Sequence, residues 1–82
     1  MRVRVEFTTE PFQGEGELPR HLAAAAAPLT EVGLAPDLSP LSTSVEGDAA
    51  TVGSALSRGL LGALDAGATR ITLRVEVVAD DA

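Results

Sequence analysis

Two stretches near opposite ends of this chain alternate apolar and polar side chains, and their charges answer one another. In Arg2 to Thr8, Val3, Val5 and Phe7 share one side while Arg2, Arg4, Glu6 and Thr8 share the other; in Arg70 to Val78, Ile71, Leu73, Val75 and Val77 oppose Thr72, Arg74 and Glu76. Laid antiparallel, one register sets Val3 against Val77, Val5 against Val75 and Phe7 against Leu73. The same register sets Arg4 against Glu76, Glu6 against Arg74 and Thr8 against Thr72. A slip of one residue would turn the charges into the core. The two stretches are therefore expected to be neighbouring strands.

The segments between them follow from local chemistry. Pro11, Gly14 and Gly16 break the first strand into a loop carrying Glu10, Glu15 and Glu17, whose carboxylates would repel a phosphate, so it is expected as a plain connection. Pro19 suits the first turn of a helix that continues through Leu22, the run Ala23 to Ala27, Leu29 and Val32 to a C-terminal cap at Gly33. Pro28 lies inside it, deletes the bond to the carbonyl of Ala24, and predicts a bend between Ala24 and Pro28. His21, the sole histidine, is expected as an exposed residue of the first turn. A short strand over Leu34 to Leu38 contains Pro36, which suits a sheet edge.

The stretch Ser39 to Asp48 packs a turn, a strand and a helix start into ten residues. Leu41, Thr43 and Val45 are expected on one side of that strand and Ser42, Ser44 and Glu46 on the other. Gly47 and Asp48 end it, with Asp48 accepting from amides near Thr51 as the cap of a second helix. That helix carries an apolar stripe of Val52, Ala55, Leu56, Gly59, Leu60, Ala63 and Leu64 and ends at Gly67.

Strand, helix, strand, strand, helix, strand, with the outer strands adjacent, predicts an α+β, ferredoxin-like βαββαβ fold: an antiparallel sheet with two helices on one face. The 82 residues are expected to form a single domain spanning 1–82. The opposite sheet face is mixed in charge, and homo-oligomers through that face or through the sheet edge are expected.

Composition narrows the function classes. Six arginines and no lysine against 12 acids leave a net charge of −6, without clustered cations for a phosphate backbone or Trp and Tyr for stacking, so nucleic acid is not an expected partner. No apolar run reaches membrane length, and the N-terminus alternates charges with apolar residues unlike a signal peptide, so a cytoplasmic protein is expected. The absence of Cys excludes disulfides, thiolate metal sites and a Cys nucleophile. No paired carboxylates, His-rich metal spacing or serine with a base stands out. Neither an enzyme nor a bound metal or cofactor is expected.

Pro40-Leu41-Ser42-Thr43-Ser44-Val45-Glu46-Gly47-Asp48, with Ala66-Gly67-Ala68-Thr69-Arg70-Ile71 after the second helix, resembles the small thiamine-binding protein family of the YkoF-like type. That family's pattern there is Pro-Met-x-Thr-x-(Ile/Val)-Glu-Gly, and Glu31-Val32-Gly33-Leu34 is similar to the end of its first helix. The chain departs from it in Leu41 for Met, in Pro28, and in the acidic loop. The resemblance implies a ferredoxin-like subunit, assembled into a homodimer or homotetramer, that binds thiamine or its hydroxymethylpyrimidine precursor without chemistry on the ligand. Thr43 and Glu46 match the motif and are the implied ligand-binding candidates, with Ser44 and Ser42 added by position. A carboxylate and hydroxyls can satisfy an aminopyrimidine edge, and an acidic site attracts the thiazolium cation.

Residue chemistry alone gives Thr43 and Glu46 blander roles, as a strand residue facing the helices and a solvated strand-end carboxylate. A regulatory amino-acid-binding domain of the ACT-like type has similar topology and stands as the alternative. An acylphosphatase-like hydrolase fits poorly, since its reaction uses an Arg in a glycine-rich loop and an Asn, and this chain contains no Asn.

Overall fold

β1 (Arg2–Glu10) is the strand on which the rest of the sheet is built. In the computed structural model, which describes residues 1–12, 18–39 and 42–78, it is followed by α1 (Arg20–Glu31), β2 (Asp37–Leu38), β3 (Thr43–Asp48), α2 (Ala49–Asp65) and β4 (Arg70–Val78). The four strands form one sheet in the order β2-β3-β1-β4, every pair antiparallel. This is the ferredoxin-like α+β arrangement expected from the order of elements.

The register between β1 and β4 is the one the two alternating patterns demand. Val3 faces Val77, Val5 faces Val75, Phe7 faces Leu73, Arg4 faces Glu76, Glu6 faces Arg74 and Thr8 faces Thr72. Arg74 Nη2 donates to Glu6 Oε2 at 3.2 Å. On its other side β1 sets Val5 against Val45 and Phe7 against Thr43. Both ends of β1 are pinned by α2: Ala49 N donates to Met1 O at 2.8 Å, and Thr69 N, just past the helix, donates to Glu10 O at 2.7 Å.

Both helices end on glycine with positive φ. Gly33 (φ 86°) lets Leu34 N reach Leu29 O and its own N–H reach Thr30 O; Gly67 (φ 108°) does the same with Ala68 N to Ala63 O and Gly67 N to Leu64 O. Each is a two-bond cap that satisfies terminal carbonyls. Asp48 caps the start of α2, its carboxylate accepting from Thr51 N at 3.2 Å as expected. Pro19 stands one position before the helical residues of α1, and its carbonyl accepts from Leu22 N and Ala23 N. α1 runs through Pro28 without splitting.

The helices meet at a seam of small residues. A Cβ added to Gly59 of α2 would lie 2.5 Å from the carbonyl oxygen of Ala25 in α1, so only glycine allows this approach. Beneath the seam Val5, Leu29, Val52 and Ala55 are essentially solvent-free.

Four expectations are corrected. β2 comprises only Asp37 and Leu38, because its length is set by pairing with Ser44 and Thr43 and not by the apolar residues before it; it does lie at the edge. β3 continues through Gly47 to Asp48, since Val3 and Arg2 of β1 still need partners there. The helices do not cover the whole sheet face: Leu73, Val75 and Val77 of β4 are exposed although their β1 partners are buried. His21 is buried, not exposed. Gln13 to Glu17, the heart of the acidic loop, and Leu41 lie outside the described residues.

Candidate functional site

β3 carries all the candidates except Ser42, which immediately precedes it. Alternation along the strand divides them between two sides of the sheet. Thr43 shares the helix side with Val45 and is 1% exposed, opposite Phe7 and Leu38. Its Oγ1 is fully buried and meets no hydrogen-bond partner among the described residues. Buried hydroxyls are normally bonded, so this one stands out.

Ser42, Ser44 and Glu46 belong to the open side, where Ser42 and Ser44 are half-buried and Glu46 is exposed. Register places Ser44 between Glu6 and Asp37, and Arg4 between Glu46 and Glu76. Two shallow depressions lie on this face. One of about 200 Å³ is lined by Arg4, Asp37, Ser44 and Glu46 among others; another of about 220 Å³ is lined by Glu6, Thr8, Ser42, Thr72 and Arg74 together with Phe7. Both are smaller than the roughly 300–1,000 Å³ of ordinary ligand pockets. A small ring could rest in either, half-covered, with carboxylates accepting from its amino groups and attracting positive charge.

The hairpin that presents Ser42 is tied by its own serines. Ser39 Oγ donates to Ser42 O at 2.7 Å, Ser39 N donates to the same carbonyl at 3.0 Å, and Ser42 N donates to Ser39 Oγ. Among the described residues Glu46 makes no ion pair within 4.0 Å, whereas Arg74 is shared between Glu6 and Glu76. Among the described residues no group of three or more His, Cys, Asp or Glu side chains is placed to hold a metal. No described helix is long and apolar enough to cross a membrane.

One polar constellation escaped the sequence reading. His21 Nδ1 lies 2.7 Å from Thr9 Oγ1 and Nε2 lies 3.1 Å from Pro11 O. A carbonyl can only accept, so Nε2 carries the proton that binds Pro11, and in the neutral ring Nδ1 accepts from the Thr9 hydroxyl. The signal was present. His21, Ala25 and Leu29 fall at helical spacing on one stripe, and all three are buried.

No protein-family model and no curated protein sequence matches the chain. Among solved structures the fold is similar to a domain of unknown function, DUF77, from Bacillus cereus, at 16% identity and a TM-score of 0.66, covering 96% of this chain and 76% of that one. It is similar to a hypothetical protein of Methanocaldococcus jannascii at 15% identity and TM-score 0.67, covering 98% and 81%. A third likeness, at 20% identity and TM-score 0.63 and covering 93% and 81%, is to a Thermotoga maritima protein whose name proposes a part in thiamine biosynthesis or salvage. At these identities the likeness establishes a shared fold.

Proposed function

We propose that this chain holds thiamine or its hydroxymethylpyrimidine part non-covalently, as an oligomeric carrier, store or sensor that performs no chemistry on it. The observation that carries the reading is the depression of about 200 Å³ on the open face, where Ser44, Glu46, Asp37 and Arg4 come together and Glu46 makes no ion pair among the described residues. An aminopyrimidine offers an amino donor and ring-nitrogen acceptors, which carboxylates and a hydroxyl can satisfy, and the carboxylates attract the thiazolium cation. The resemblance over Pro40 to Asp48 and the thiamine-related name of the Thermotoga maritima neighbour support the same ligand class.

Thr43 and Glu46 point to opposite sides of one sheet, so a single ring does not touch both within one chain. The reading assigns the ring to the open face at Glu46. Titration calorimetry with thiamine and with hydroxymethylpyrimidine tests it directly. Wild type gives heat with one of them, Glu46→Gln weakens binding by about tenfold, roughly 1.4 kcal/mol, and Thr43→Val leaves it unchanged. Loss on Thr43→Val with Glu46→Gln unaffected moves the ligand to the helix side; no heat with either compound ends the proposal.

A further inference from the structure

An aminopyrimidine ring occupies one depression of the open face and leaves the second one free. The two adjoin: Glu6, which lines the second, is the cross-strand partner of Ser44, which lines the first. Each alone is smaller than an ordinary ligand pocket, whereas side by side they reach the lower part of the roughly 300–1,000 Å³ range. A ligand that fills both has two parts.

The second depression differs from the first in chemistry. Thr8 and Thr72 face each other across β1 and β4, and Ser42, one residue before β3, extends the register of β1 with β3 opposite Thr8. Three hydroxyls therefore form a row over three adjacent strands, which lie about 4.8 Å apart. None of the three takes part in a hydrogen bond among the described residues. Beside the row Arg74 donates to Glu6 at 3.2 Å, so these two charges largely cancel. Such a surface has no surplus charge to attract an ion. Each hydroxyl can donate and accept at once, a pattern that other hydroxyls answer.

Arg4 and Glu46 of the first depression are cross-strand partners, and among the described residues neither makes an ion pair within 4.0 Å. Side by side they present donors and an acceptor, the complement of a ring edge on which an acceptor nitrogen stands next to an amino group. The amino group of cytosine is read by carboxylates in this way. A phosphate fits poorly, because Glu6, Asp37, Glu46 and Glu76 outnumber Arg4 and Arg74 on this part of the face.

We infer that the hydroxyl row is a sugar subsite, and that the open face takes an aminopyrimidine nucleoside in unphosphorylated form, its base edge on Arg4 and Glu46 and its ribose on Thr8, Ser42 and Thr72. Glu6 and Arg74 flank the ribose, the carboxylate accepting from its diol and the guanidinium donating to it. The inference rests on the open face being the aminopyrimidine site and adds a ligand class to it.

Calorimetry with hydroxymethylpyrimidine, cytidine, dideoxycytidine lacking the ribose diol, and cytidine monophosphate separates the two. Cytidine binds about tenfold tighter than hydroxymethylpyrimidine. That advantage disappears with dideoxycytidine, and in a Thr8→Val/Thr72→Val variant whose circular dichroism matches wild type. The monophosphate binds more weakly than the nucleoside. Hydroxymethylpyrimidine binding with cytidine no tighter, or dideoxycytidine matching cytidine, overturns the sugar subsite and leaves the aminopyrimidine site standing. A monophosphate that binds as tightly as cytidine overturns the preference for the unphosphorylated form. No heat with either hydroxymethylpyrimidine or cytidine overturns both the subsite and the site on which it rests.

Discussion

His21 shows how a single side chain can tie elements together where apolar packing thins out. Its ring joins the start of α1 to Thr9 at the end of β1 and to the carbonyl of Pro11, closing a corner that would otherwise leave a buried hydroxyl unbonded. His21→Ala is expected to lower unfolding free energy by about 1–3 kcal/mol in urea titration, with His21→Gln recovering part of it by donating to Pro11. Thr43 makes the opposite case. Thr43→Val removes a hydroxyl that meets no hydrogen-bond partner among the described residues, so the same titration should find the variant as stable as wild type or slightly more so. Periodicity placed Thr43 toward the helices correctly and Glu46 away from them. The missing partner of Thr43 was not legible, because satisfaction of a hydroxyl depends on neighbours distant in sequence.

At the scale of elements, two glycines in one helix are expected to respond oppositely to the same change. A methyl at Gly53 of α2 would meet nothing within 4 Å, so Gly53→Ala should raise thermal stability by about 0.5–1 kcal/mol through helix propensity. At Gly59 the methyl runs into the Ala25 carbonyl, backbone that cannot swing aside, and Gly59→Ala should destabilise by about 1–3 kcal/mol. α2 was legible almost to the residue, because Asp48 and Gly67 are local signals that bound it. β1 and β4 were legible together, since two charged faces and two apolar faces agree on one register only. β2 was not, because a strand of two residues exists through its partner and carries no pattern of its own. Pro28 stands inside α1, which runs as one helix from Arg20 to Glu31 although proline is disfavoured there.

At the scale of the molecule, the narrow helix layer decides what is left open. Small residues at the seam draw α1 and α2 together, and the pair shields β1 and β3 while β4 overhangs. Alternation along β4 told which side Val75 and Val77 face; it could not tell that the described residues of the chain leave them exposed. If a second copy covers them, the thermal midpoint should rise with protein concentration, as mass action requires, and stay constant for Val75→Lys. The pairing of Arg2 with Val78 has a mechanical consequence. A tether grafted to those two positions and drawn apart loads the β1 and β4 rungs in succession, not all at once, so the sheet should peel open like a zip under gentle force.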